Sequence, residues 1–187
     1  MKKLILAAAL SFAVPAFAAP VTYNFDPSHT YPMLEISHFG FSFFRGVFMK
    51  TSGKVVLDTA AKTGSLDAKI DTASINMGGE KLEKHLRGED FFNVEKFPAM
   101  TYKSSKVNFS GDNVASVDGE LTLLGVTKPV TLNLDYVKCG THPAVKKLAC
   151  GANATAAIKR SDFGMKYLVG PVGDDVKITI QIEAISE

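Results

Sequence analysis

The segment from Val176 to Glu183 reads VKITIQIE, with Val176, Ile178, Ile180 and Ile182 alternating against Lys177, Thr179, Gln181 and Glu183. Successive side chains on a strand point to opposite faces, so this pattern makes a strand with one apolar and one wet face. The same period of two recurs along the chain. Leu34, Ile36 and His38 alternate with Met33, Glu35 and Ser37, and Leu66, Ala68 and Ile70 with Asp67, Lys69 and Asp71. Val130, Leu132, Leu134 and Tyr136 alternate with Thr131, Asn133 and Asp135. Further strands are expected over Val21–Phe25, Val47–Met49, Gly53–Asp58, Met100–Phe109, Val114–Leu124 and Ala152–Lys159, divided by turn formers such as Asp26-Pro27, Lys62-Thr63-Gly64 and Gly125. About eight or nine strands joined by short turns predict an all-β antiparallel barrel or sandwich. Closure into a barrel removes the exposed edges that would otherwise invite aggregation.

The first residues follow other rules. Lys2 and Lys3 precede an apolar run, Leu4 to Val14, and Ala16-Phe17-Ala18 fits a cleavage site, so residues 1–18 are read as a signal peptide and 19–187 as a single barrel domain. The apolar run is too short to span a bilayer, and no later run reaches the required length, so an exported, soluble protein without stable membrane insertion is expected. The chain has 21 Lys+Arg and 19 Asp+Glu, and Lys2 and Lys3 supply the whole excess. The exported part is therefore formally neutral, with no basic run to support a nucleic-acid partner. Cys139 and Cys150 are the two cysteines, bracketing the turn-rich GTHPAVKKLA. In an oxidising compartment they are expected to form a disulfide. A metal site built from Cys139, His142 and Cys150 lacks a fourth ligand.

One stretch breaks the ladder. Glu80 to Tyr102 opens with Leu82 and Leu86 one turn apart, with Glu80/Lys84 and Glu83/Arg87 at i,i+4, which predicts a short helix near residues 80–88. Gly88 is expected to end it in the left-handed conformation. Of 13 Phe, eight fall in two irregular places: Phe39, Phe41, Phe43, Phe44 and Phe48 in one, Phe91, Phe92 and Phe97 in the other. Such rings either plug a barrel or line a cleft for an apolar ligand. Hollow and filled barrels share the same alternation, so the pattern alone leaves both open.

No nucleophile with its base, carboxylate pair or metal cluster is identifiable, so neither an enzyme nor a catalytic cofactor is expected. His29 reads as a turn histidine beside Asp26-Pro27-Ser28, and His38 as an inward, hydrogen-bonded one, rather than as metal ligands.

Several motifs together resemble the YceI-like family. They are His29-Thr30, Ile36-Ser37-His38-Phe39-Gly40, Gly46-Val47-Phe48, Lys84-His85-Leu86-Arg87, Asp90-Phe91-Phe92, Phe97-Pro98-Ala99, the run from Gly119 to Val130 (GELTLLGVTKPV), and Arg160-Ser161-Asp162-Phe163-Gly164. The resemblance is in register over essentially the whole exported chain. Thr30 stands where the family usually has Ser, Ile75-Asn76-Met77 replaces a more polar pattern, and the Cys139 to Cys150 segment is outside the family pattern. The resemblance implies a bacterial periplasmic protein with a lipocalin-like antiparallel β-barrel. It also implies a long isoprenoid chain held inside, carried by a polyprenyl quinone or a polyprenyl phosphate.

The expectation is thus a periplasmic binding or carrier protein for an isoprenoid lipid, exchanging it with a membrane or protein donor and acceptor. A quinone of the ubiquinone type is favoured, because a neutral head needs no cationic clamp and the basic residues Arg45, Arg87 and Arg160 stand isolated. Leu34, Ile36, Phe39, Phe41, Phe43, Phe44, Leu82, Leu86, Phe91, Phe92 and Phe163 are expected to touch the tail, with Glu80 to Tyr102 forming one wall of the entrance. The alternative is a filled barrel serving as a structural or protein-interaction module.

Overall fold

The computed structural model describes residues 19–187; the expected signal peptide, 1–18, lies outside them. The elements in order are β1 (Val21–Phe25), β2 (Tyr31–His38), β3 (Ser42–Phe48), β4 (Thr51–Asp58), β5 (Thr63–Asp71), β6 (Ile75–Asn76), α1 (Glu80–Arg87), β7 (Ala99–Ser110), β8 (Asn113–Leu123), β9 (Val126–Thr141), β10 (Leu148–Lys159) and β11 (Val172–Ser186). Short 3-10 turns at Thr72–Ser74 and Arg160–Phe163 complete them.

Eight strands close a ring in the order β1, β4, β5, β7, β8, β9, β10, β11, with β11 returning to β1. Each neighbouring pair in the ring is antiparallel. Strand β11 serves two partners on one edge: Val176 to Gln181 face β2, while Ala184 to Ser186 face β1. β1 and β2 are therefore one path along β11, interrupted at residues 26–30. The interruption has a local cause. Pro27 has no N–H to give a ladder, and the Asp26 carboxylate accepts from the Ser28 backbone N–H at 2.9 Å to fix the turn. Fully buried Thr30 repairs the seam, its hydroxyl donating to the Glu183 carbonyl at 3.0 Å and accepting from the Glu183 N–H at 3.2 Å.

β3 and β4 form a second interrupted path. β4 pairs with β5 from Thr51/Ile70 to Asp58/Thr63, but β3 turns away to pair with β2 and with the two-residue β6. Residues 77–98, including α1, lie between β6 and β7 in the chain at this upper end.

The structure alters one expectation of detail and sharpens another. Gly88 is extended (φ −72°, ψ 177°) rather than left-handed, and its N–H donates to the His85 carbonyl at 3.0 Å, so a tight last turn ends the helix without a special φ. Strand structure enters the segment between the cysteines from both ends: Cys139 pairs directly with Cys150 across β9 and β10, and their disulfide fastens that hairpin. The turn itself is confined to residues 142–147.

Tyr102 divides the barrel interior. Its ring lies so close over Gly119 that a Cβ there would come within 2.6 Å of the ring. Its buried hydroxyl sits 2.9 Å from the Val117 carbonyl and 2.8 Å from that of Val130, sharing one proton between them. Burial, aided by Asp118, raises its pKa far above that of an ordinary phenol. Below this plank the inward residues Tyr23, Leu57, Val107, Val117, Ala154 and Ala184 are all buried.

Candidate functional site

Above Tyr102 the barrel is hollow. A cavity of about 260 Å³ runs from the level of Phe25, Leu66, Leu132 and Ile182 up to Phe39, Leu82, His85 and Leu168 at the upper end. The inward parity of the opening strand, Val176, Ile178, Ile180 and Ile182, lines it as the alternation requires. Leu34, Ile36, Ile178 and Ile180 face this space and are partly buried, while other lining residues such as Phe48, Leu66, Met100 and Leu132 are fully buried in the core.

The lining includes Met33, Met77, Met100 and Met165. Unbranched thioethers re-pack easily, so the lumen can adapt its width to what it holds. Met77 lies over Gly46, where a Cβ would come within 2.1 Å of its sulfur, so Gly46 provides the room that this side chain occupies.

Six lining residues carry polar side-chain atoms: Thr30, His38, Thr51, His85, Tyr102 and Arg160. Thr30 and Tyr102 are spent on backbone groups. Arg160, 2 % exposed, donates to four carbonyls: Gly173 (2.8 Å), Met165 (3.2 Å), Tyr167 (2.7 Å) and Val172 (3.2 Å). Burial lowers its pKa, partly offset by Asp174. It binds the connection between β10 and β11 into shape. His38 stacks on Phe44 with ring centroids 4.0 Å apart and meets the edge of Phe39 at 4.6 Å, in place of the hydrogen bond expected for it. His85 meets Phe91 at 5.0 Å and Tyr167 at 5.7 Å, and its Nε2 is 3.4 Å from Asp90. Thr51 is different. Its hydroxyl is buried with no hydrogen-bond partner, which leaves one polar group free inside an apolar lumen.

Helix α1 is set by Glu83. Its carboxylate accepts from the backbone N–H groups of Met77 (2.9 Å) and Gly79 (3.3 Å) at the helix N-terminus and from Arg87 at 3.1 Å. These bonds lower its pKa, led by that from Met77. The expected Glu83/Arg87 pair forms, and α1 turns Leu82 and Leu86 into the cavity.

Of the residues expected to touch a ligand tail, Leu34, Ile36, Phe39, Phe44, Leu82, Leu86, Phe91 and Phe92 line the cavity. Phe41, Phe43 and Phe163 stand outside the lining. Ile36 pairs with Phe44, so Phe43, next along β3, faces outward with Ser37. Phe41 lies in the β2–β3 turn, and Phe163 is packed into the core beside Arg160. Arg160 and Thr51 were not singled out as site residues. Thr51 has no sequence neighbour that marks it; Arg160 opens the Arg160–Gly164 motif, and a lone arginine before the connection to Gly173 is a signal for buried carbonyl partners.

Among the described residues no cluster of His, Cys, Asp or Glu could hold a metal, and no helix is long and apolar enough to cross a membrane. Fold and site define a closed antiparallel barrel with an apolar, one-ended lumen. The YceI-like domain matches residues 23–184, and the chain belongs to that family. A UPF0312 protein of Pseudomonas aeruginosa is 35 % identical over 98 % of this chain and 96 % of its own, and Protein YceI of Escherichia coli 33 % identical over the whole of both. Among solved structures, the YCEI protein of Campylobacter jejuni superposes with a TM-score of 0.66 at 29 % identity, over 81 % of this chain and 90 % of its own. BcnA of Burkholderia cenocepacia gives 0.73 at 24 %, over 86 % and 99 %. A polyisoprenoid binding domain from Saccharophagus degradans gives 0.65 at 15 %, over 89 % and 99 %, and shares the fold.

Proposed function

We propose that this protein is a periplasmic carrier that holds an isoprenoid lipid, of the ubiquinone type, with its tail in the upper lumen. The carrying observation is the cavity, whose lining is almost wholly aliphatic, aromatic and thioether. Burying a methylene gains roughly 0.8 kcal/mol, so a polyprenyl tail supplies more apolar surface than affinity alone can use. What such a tail needs in transit is shelter from water. The ligand named for the Saccharophagus degradans domain is of this chemistry.

A quinone fits better than a polyprenyl phosphate. Arg160 is the one Lys or Arg in the lining, and backbone carbonyls already hold its guanidinium. A phosphate would enter without a counter-ion, whereas a quinone carbonyl needs one donor, which the Thr51 hydroxyl can provide.

The test is extraction of protein purified without detergent from its own host, followed by mass spectrometry. Stoichiometric long-chain quinone is expected; repeated lipid-free preparations that also refuse added quinone would end the carrier reading in favour of a module without a lipid. Leu82→Asp with Leu86→Asp sharpens the test. Charges at the entrance are expected to reduce quinone retention at least about tenfold while the melting temperature falls little, because α1 covers the lumen rather than the packed half.

A further inference from the structure

The rim of the lumen carries apolar side chains that nothing in the barrel covers. The turn between β2 and β3 exposes Phe41 at 95 % and Phe39 at 51 %, and the start of β3 exposes Phe43 at 60 %. The connection before β11 exposes Tyr167, Leu168 and Val169 at 40 to 42 %. These two loops are one structure: the Phe39 N–H donates to the Pro171 carbonyl at 2.8 Å, and His38 pairs with Val172.

Phe39 and Leu168 both line the cavity and reach solvent. An unbroken apolar track therefore leads from the lumen to the tip at Phe41. Both residues also adopt left-handed φ, 54° and 51°, which bulky side chains seldom take. Holding them there is a local strain that the core does not require.

We propose that this lip docks on a lipid bilayer, with Phe41 and Phe43 entering the acyl boundary, so that the ligand passes between membrane and lumen without crossing water. The proposal rests on the carrier reading. A ligand this apolar resides in a bilayer, and the track from its binding site ends at the lip. Two protruding loop tips suit insertion into a soft surface better than a dimer interface, which needs roughly 800 Å² of complementary face per partner. Near the lip Arg45 pairs with Glu35 at 2.6 Å, while Lys166, beside Tyr167, is exposed and forms no ion pair among the described residues. The side chains that enter the bilayer are apolar, so zwitterionic bilayers suffice.

The experiment is flotation of the purified protein with phosphatidylcholine vesicles containing a long-chain ubiquinone, with uptake of the quinone read in the same samples. Wild type should float with the vesicles, nearly unchanged between 0.1 and 1 M salt as roughly a threefold change in Debye length is imposed. The Phe41→Ser, Phe43→Ser double variant should lose at least about tenfold in both vesicle binding and quinone uptake. A short-chain quinone added in water should bind both proteins equally, since neither side chain lines the lumen. Wild type that takes up the short-chain quinone but ignores vesicles would overturn the docking and leave the carrier reading intact. Uptake from vesicles by the variant at the wild-type rate would overturn it as well. So would a wild-type dimer that the double variant dissolves, which would assign the lip to a second copy. Failure of wild type to bind any quinone would sink the carrier reading, while flotation would still decide the docking.

Discussion

Below Tyr102 the inward side chains Tyr23, Leu57, Val107 and Val117 meet one another and are buried; above it Leu34, Ile36, Ile178 and Ile180 point inward and remain partly exposed to a cavity. The two halves share strands, alternation and ladder hydrogen bonds. They differ in how the ring is closed. In the lower half β1 joins β4 to β11, and the circumference is small enough for side chains to meet. In the upper half β3 pairs with β2 and β6 and not with β5, so that residues 72–98 take part in enclosing the cavity. One half supplies stability and the other supplies room.

If that division holds, substitutions should separate the two properties. Arg160→Leu should have the largest effect, about 3 kcal/mol or more, because it leaves buried carbonyls of the 165–173 connection without donors. It should lower both the denaturation midpoint and quinone retention, since that connection forms part of the rim. Cys139→Ser with Cys150→Ser opens a crosslink spanning 11 residues and should cost about 3 kcal/mol in the chain-entropy picture. The bond lies at the far end from the mouth, so denaturant midpoint should fall while quinone retention stays constant. Equal loss of retention would show that the halves are coupled.

Smaller effects sharpen the boundary. Thr51→Val replaces an unpartnered buried hydroxyl by a methyl of similar shape and should stabilise the lipid-free protein by about 1 kcal/mol in urea titrations. The smallest concerns the seam at residues 26–30. Hydrogen bonds from the Ser28 hydroxyl, His29 and the Ser28 N–H lower the Asp26 pKa to about 2, and the Asp26 contact raises that of His29. Asp26 therefore adds stability above its unfolded pKa, lost as pH falls toward 2; His29 adds stability below its unfolded pKa, lost as pH rises through its raised value. Stability from this pair should be fullest between about pH 4 and 6.5. Because the site is solvent-accessible, Asp26→Asn should cost under about 1 kcal/mol, and the pH profile of the melting temperature should flatten accordingly.

The strands were legible because alternation on a half-wet sheet is a direct physical signature. Val176 to Ile182 needed only their spacing. The hollow was not legible, since Ile178 above the plank and Val117 below it obey the same parity. Parity did hold a correction that composition obscured: consecutive Phe43 and Phe44 cannot both face inward on one strand, and Phe44 takes the inner side. The motif GTHPAVKKLA reads as a loop from its Gly and Pro, yet ladder pairing and the disulfide carry strand structure to Thr141 and from Leu148. Arg160 stands out in the Arg160–Gly164 motif, but its structural role does not, because its partners are backbone carbonyls, which leave no mark in a sequence.

Three of the side chains facing the lumen, Met77, Met100 and Met165, are methionines, and this has a chemical as well as a mechanical side. Oxidation to the sulfoxide turns each thioether into a strong acceptor. Polar oxygens placed among the aliphatic lining residues would draw water into the cavity and, on the proposed function, drive an isoprenoid out. The flexibility that would let the lumen fit such a ligand would therefore also tie its hold on it to the oxidant load around it, with no change in fold required.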